Sequence, residues 1–139
     1  MKRLSVKISI VLALVFATAA CTGAGKLQRY IEDNNTKLAG KQIGPGMWCD
    51  GMTLDGDTVV ITYRQPQVVA TPQELADWDT ISDSYHDLLL QGLGNDKTSD
   101  PEGAELLVEA GVYMKGVFKF ANAEINVVAT PAEIAEALK

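Results

Sequence analysis

The chain has 139 residues, of which 47% are hydrophobic, and a formal net charge of −6 at pH 7. This length suits a single domain that buries a core without needing cross-links. The excess of acidic residues disfavours binding to nucleic acid and to anionic membrane surfaces, so no nucleic-acid partner is expected.

The first 20 residues have the three parts of a secretory signal peptide. The opening seven residues contain three basic side chains, residues 8–16 are apolar, and small residues follow up to position 20. The apolar run is shorter than the stretch of about 20 residues that spans a bilayer. We therefore predict a signal peptide over residues 1–20, a flexible tether over 21–25 and one domain over 26–139. Removing residues 1–20 takes away three of the 12 basic residues and no acidic one, which changes the net charge to −9.

Cys21 has two alternative fates. Cleavage directly before it by the lipoprotein signal peptidase would lead to lipidation; Ala19 and Ala20 favour this, whereas Thr18 stands where such signals usually carry leucine. Cleavage by the general signal peptidase would instead leave a thiol that can form a disulfide with Cys49, since an even number of cysteines in an oxidising compartment favours pairing. We expect lipidation and attachment to a membrane through the lipid.

The first half of the domain predicts one helix and one hairpin. Apolar residues recur at helical spacing over residues 26–40, and Gly40 suits the end of a helix. Residues 43–46 are predicted to be a break. Residues 48–54 and 58–64 flank an Asp-Gly turn and predict the hairpin. The second segment is rich in β-branched residues, which favours a strand, and Val59, Ile61 and Tyr63 alternate along it so that they share one face.

The central part predicts a long helix. Thr71 and Glu74 form a capping box around Pro72, and the helix is expected to run to Gln91 and end at Gly92. Its apolar stripe comprises Leu75, Trp78, Ile81, Tyr85, Leu88 and Leu89. A polar loop is expected over residues 94–99. A shorter helix follows over 101–110, capped by Asp100 and ended by Gly111.

The last part predicts a second hairpin and a terminal helix. Residues 112–120 alternate between apolar and polar side chains, and residues 125–129 return after a turn. A second capping box at Thr130 opens the terminal helix. Two hairpins can join into one antiparallel sheet of about four strands, covered by helices on its apolar face. The predicted fold class is α+β, a two-layer sandwich.

This order of elements resembles the α/β pilotin lipoproteins of bacterial type II secretion. The resemblance covers most of residues 26–130, and its residues here are Thr71, Pro72, Tyr85, Asp100, Pro101, Leu106, Leu107, Gly111 and Tyr113. It implies an α+β fold and an outer-membrane lipoprotein on the periplasmic side of the envelope. It also implies that the protein escorts secretin subunits, and it assigns no site residue.

No constellation of residues indicates catalysis. His86 has Asp83 and Asp87 nearby but lacks the three or four converging ligands of a metal site. Cys49 has no base or positive neighbour in sequence to activate it, and burial explains it. Turn chemistry explains the acidic residues of the first hairpin. We predict no enzymatic activity, no cofactor and no metal.

The expected function is binding of another envelope protein as an assembly adaptor. The surface would be a groove between helix 72–91 and the sheet, or an open sheet edge. The aromatic residues Trp48, Trp78 and Tyr85 are candidates for contacting the partner, and core packing is the alternative role for them. Two other functions remain open: binding of a small ligand, which predicts an enclosed pocket of about 300 Å³ or more, and a purely structural or immune-facing role.

Overall fold

The computed structural model of the protein describes residues 23–139. The predicted signal peptide and Cys21 lie outside this range. The elements in chain order are α1 (Gly23–Leu38), β1 (Lys41–Gly44), β2 (Met47–Asp55), β3 (Thr58–Gln65), α2 (Pro72–Ala76), α3 (Trp78–Ser99), α4 (Pro101–Ala110), β4 (Tyr113–Phe120), β5 (Glu124–Ala129) and α5 (Pro131–Ala137). The first helix begins inside the predicted tether, so residues 23–25 are helical. In residues 23–139 no helix combines the length and apolar character needed to cross a membrane.

The five strands form one mixed sheet in the order β1-β2-β3-β4-β5. The predicted four-stranded antiparallel sheet is therefore wrong in two respects, although the α+β class is confirmed. The two hairpins join through β3 and β4, which run parallel because a helical crossover returns the chain in the same direction. The additional strand, β1, lies where a break was predicted and pairs with β2. It forms because the chain turns back at Pro45-Gly46, where Gly46 has a φ of 70°.

The predicted helix 72–91 is two helices, and the second is longer than expected. The capping box at Thr71 is confirmed, but α2 ends at Ala76 and α3 continues through Gly92 to Ser99. The predicted exit at Gly92 and polar loop at 94–99 are therefore wrong. Leu93 is buried to 2% exposure among the core residues. That burial offsets the helix-propensity penalty of about 1 kcal/mol for each glycine.

The core lies between the helices and one face of the sheet. Three rows of paired residues form this face: Cys49, Tyr63, Phe118 and Ile125; Met52, Ile61, Gly116 and Val127; and Leu54, Val59, Met114 and Ala129. Leu27 and Ile31 of α1, Leu89 of α3 and Ile134 of α5 complete the cluster. The predicted alternation along β3 and β4 is confirmed. Apart from Val117, the side chains of β2 to β5 on the opposite face are half-buried or exposed.

One side-chain amide fastens the start of the crossover to the second hairpin. The Asn122 side chain accepts from the Ala70 backbone amide at 2.8 Å and donates to the Ala70 carbonyl at 2.9 Å. The Ala121 amide adds a hydrogen bond to the Val68 carbonyl. These bonds give the segment before α2 the partners that a strand would otherwise provide.

The substitution Asn122→Ala should lower the free energy of unfolding by about 1–2 kcal/mol, because it removes both bonds to Ala70. Asn126→Ala is the matched control, since the Asn126 amide donates only to Glu124 on the same strand. Urea denaturation of the two variants is the measurement. Equal stability of both variants would contradict the role of Asn122.

Candidate functional site

A groove crosses the buried face of the sheet between α1 and α3. One cavity of about 230 Å³ lies beneath α1 and α4, above β2 and β3. A second, of about 290 Å³, lies between α3 and the strands β2 to β4. Both are lined by Ile61, Asp96 and Met114. Because they share these residues, we treat them as one site, the α1–α3 groove.

The walls of the groove are set by helix packing. Gly103 lets α4 approach α1, because a Cβ atom at that position would collide with the ring of Tyr30. On the other side the rim contains Leu88, which is 47% exposed, and Met47 at the start of β2. Gly92 also lies on this rim, and a Cβ atom there would meet nothing within 4 Å. The groove is therefore open to solvent beside Gly92.

The lining of the groove is mainly apolar but includes several polar residues, namely Tyr30, Asn34, Tyr63, Gln91, Asn95, Asp96 and Asp100. Among these, Asp96 lines both cavities. The carboxylate of Asp96 forms no ion pair or side-chain hydrogen bond with residues 23–139, and burial raises its pKa above the ordinary value. Asp96 as a whole is exposed, so its carboxylate lies at the boundary between solvent and the groove.

Another polar group of the lining is the Tyr63 hydroxyl, which forms no hydrogen bond within the described part of the chain. Burial, followed by the charges of Cys49 and Asp96, raises the pKa of Tyr63 to about 12. Among the described residues, every fully buried side-chain nitrogen or oxygen has a hydrogen-bond partner. Because the Tyr63 hydroxyl has no such partner, it is not fully buried and must contact solvent or the groove. The Tyr63 ring stacks on Phe118 with centroids 5.0 Å apart, which holds it in place.

The three aromatic residues predicted to contact a partner are not brought together. Tyr85 packs edge-to-face on Phe118 at 4.8 Å, and Trp78 packs similarly on Phe120 at 6.3 Å. Both therefore contribute to packing between α3 and β4. Trp48 lies on the opposite face of the sheet, with the Arg64 guanidinium 5.7 Å from its ring centroid.

The structure also places the remaining candidate residues. Cys49 is 2% exposed with a free thiol, and burial raises the pKa of that thiol, which keeps it protonated and unreactive. Its predicted partner Cys21 lies outside the described residues. His86 contacts Glu133 of α5, with Nε2 and Oε2 3.0 Å apart. No cluster of three or more metal-ligating side chains occurs between residues 23 and 139.

Sequence reasoning missed Asp96, Tyr63 and Leu93 as groove residues. A signal for two of them was present: Leu93 and Asp96 follow Leu89 by four and seven positions, the spacing of one helical face. A helix that ends at Gly92, as predicted, excludes both residues from this face. The alternation along β3 places Tyr63 on the same face as Val59 and Ile61, but nothing local indicates that its hydroxyl borders a cavity.

Comparison with known proteins gives a likeness of fold only. No family model matches the chain, and no curated protein matches it. Among solved structures it is similar to the crystal structure of a candidate secreted protein from Pseudomonas aeruginosa. The TM-score is 0.51 at 14% sequence identity, and the match covers 78% of this chain and 93% of the other. The arrangement of helices and sheet therefore occurs in another protein with a very different sequence.

Glu133 joins the terminal helix to α3 at the edge of the domain. One carboxylate oxygen accepts from the Thr130 backbone amide at 3.0 Å, and the other lies next to His86 Nε2. The bond from Thr130, followed by the influence of His86, lowers the pKa of Glu133. A lowered pKa in the folded state means that the charged form stabilises the fold above the ordinary pKa. This contribution is lost as the pH falls through the folded-state pKa.

The substitution Glu133→Gln should reduce the free energy of unfolding at pH 7 by up to about 1 kcal/mol, since the group is near the surface. The difference from the parent protein should shrink as the pH falls to about 3. Denaturation at both pH values checks this. Glu136→Gln is the control, because Glu136 contacts Lys139 and not the cap or His86. A loss of stability that is the same at both pH values would contradict the role of the charge.

Proposed function

We propose that this is an exported, lipid-anchored, non-enzymatic protein of the cell envelope that binds a segment of a partner protein in the α1–α3 groove. The observation that carries the proposal is the groove itself. Its lining is largely aliphatic and aromatic, it opens beside Gly92, and its two cavities share lining residues. Open apolar grooves of this kind suit side chains presented by a helix or an extended segment.

The dimensions of the groove favour a protein segment over a small ligand. Neither cavity by itself reaches about 300 Å³, the lower end of the range for pockets that enclose a small molecule, so an occupant of the groove has to extend over both cavities, as a peptide segment does. The opening beside Gly92 gives a segment access to the groove from solvent. The sheet edge is the weaker alternative for partner binding, because β1 has only four residues and offers few unpaired backbone groups.

The geometry of α1 supports lipidation of Cys21 over a bridge to Cys49. Cys49 lies beside the C-terminal end of α1, where its carbonyl accepts from the Gly40 amide at 2.7 Å. Cys21 precedes the other end of α1 by two positions. The 16 residues of α1 span about 24 Å, whereas a disulfide needs Cα atoms within about 7 Å. Two residues of linker reach only about 7 Å, so the bridge would require α1 to unwind.

A structural similarity supports export, and a sequence resemblance supports a role in assembly. The structural neighbour is described as a candidate secreted protein, which agrees with the signal peptide predicted here. The resemblance to pilotin lipoproteins suggests the adaptor role, in which the bound protein is a subunit destined for the outer membrane. The acidic net charge is compatible with this function and does not favour nucleic acid.

Intact-mass measurement of the mature protein tests the anchor. The expected mass is that of a chain starting at Cys21 with attached acyl groups, and Cys21→Ser should abolish incorporation of labelled palmitate and release the protein from the membrane fraction. A mature chain without acyl groups and lacking two hydrogens would instead identify the disulfide.

Site-specific photo-crosslinking tests the groove. A crosslinking amino acid at Leu88 should join the protein to one envelope protein, identified by mass spectrometry, whereas the same group at Val108 should not. Val108 is a matched control, because both residues are aliphatic, lie in helices and are similarly exposed, Leu88 to 47% and Val108 to 46%. They differ in that Leu88 lines the groove and Val108 does not. Equal crosslinking from both positions would contradict binding at the groove.

A further inference from the structure

The negative charge of the domain is concentrated in one segment. Residues 72–110, which comprise α2, α3 and α4, contain ten acidic residues and one lysine, a net charge of −9. The rest of the described chain contains eight acidic and eight basic residues. The segment that forms one wall of the α1–α3 groove is therefore also the source of the whole net charge, and its field extends about 10 Å at moderate salt.

One of these carboxylates is positioned differently from the others. Asp96 lines both cavities of the groove, whereas Asp100, which lines only one, is engaged in capping α4 through the Gly103 amide. The Asp96 carboxylate has no cationic partner among residues 23–139. A charged group that is partly removed from water without a partner costs stability, and a cation supplied from outside would offset that cost.

We propose that the partner segment bound in the α1–α3 groove carries a lysine or arginine among apolar residues, and that this cation pairs with Asp96. The inference rests on the proposed function of the groove. Apolar side chains of the segment would contact Ile61, Met114 and Phe118, while the cation would lie where the two cavities meet. The net negative charge of residues 72–110 disfavours acidic segments, so it also provides selectivity.

Selection of random peptides of about 12 residues on the purified domain tests the inference. Four forms of the protein are compared: the parent, Asp96→Asn, Asp83→Asn and Gly92→Leu. Gly92 lines the groove, so leucine at this position should place a side chain at the rim and hinder access to the groove. It should not harm α3, because a Cβ atom at position 92 meets nothing within 4 Å and leucine favours helices. Asp83→Asn removes the same charge from the same helix outside the groove.

Peptides that bind the parent but not Gly92→Leu should be enriched in lysine or arginine next to apolar residues. Their affinity for Asp96→Asn should be about tenfold weaker at low salt and closer to the parent's at high salt, while Asp83→Asn should change it less than about threefold. The Asp96→Asn domain should be at least as stable as the parent at pH 7, because a raised pKa means that the charged carboxylate disfavours folding.

The experiment distinguishes a failure of the proposed pairing with Asp96 from a failure of the groove as a binding site. Peptides that bind the parent domain but not Gly92→Leu could contain no excess of lysine or arginine, or could bind Asp96→Asn as tightly as the parent. Either result would overturn the pairing with Asp96, while the proposal that the groove binds a segment would stand. A selection that yields no peptide dependent on Gly92 would overturn the groove as a binding site and the pairing with it.

Discussion

The parallel pairing of β3 with β4 is the constraint on which the rest of the structure depends. Parallel neighbours cannot be joined by a tight turn, so the chain leaves β3 at Gln65 and returns at Tyr113 after crossing the sheet. The crossover contains three helices, and it places α3 and α4 over the same face that α1 covers above β2. The space left between α1 and α3 is the groove. The crossover, residues 66–112, also carries the net negative charge of the domain. The parallel pairing therefore places the groove and this charge next to each other.

The groove also requires that α3 continues past two glycines, Gly92 and Gly94. A helix that ended at Gly92 would place neither Leu93 nor Asp96 over the sheet. Leu93 is buried beside Leu89, and the hydrophobic free energy of such burial, about 1.5–3 kcal/mol, is comparable to the combined propensity cost of Gly92 and Gly94. Gly92 lines the groove and adds no side chain to its rim. The glycines are therefore tolerated by tertiary packing, and one of them shapes the site.

Features that depend on neighbours in sequence could be predicted, and features that depend on distant partners could not. The turn at Gly56, the capping box at Thr71 and the left-handed end of α4 at Gly111 follow from local backbone preferences. The alternation of Val59, Ile61 and Tyr63 assigns a face, but it is the same whether the next strand is parallel or antiparallel. The groove residues were harder still, because a tyrosine or an aspartate belongs to a site only when other elements partly bury it. Local signals therefore define the pieces, whereas the crossover defines the sheet and the groove.

The proposed lipid anchor lowers the affinity that the groove needs in order to hold a partner segment. An open groove without a deep pocket binds a short segment weakly, because little surface is enclosed and the segment loses conformational freedom. A lipid on Cys21 would confine the domain to the membrane, where a partner in the same membrane is present at a high effective concentration. Cys21 lies two positions before α1, and Leu27, Ile31 and Leu38 of that helix line the groove. The anchor and the binding site would then be joined through one rigid element, so that a modest affinity is sufficient to hold a partner segment near the membrane surface.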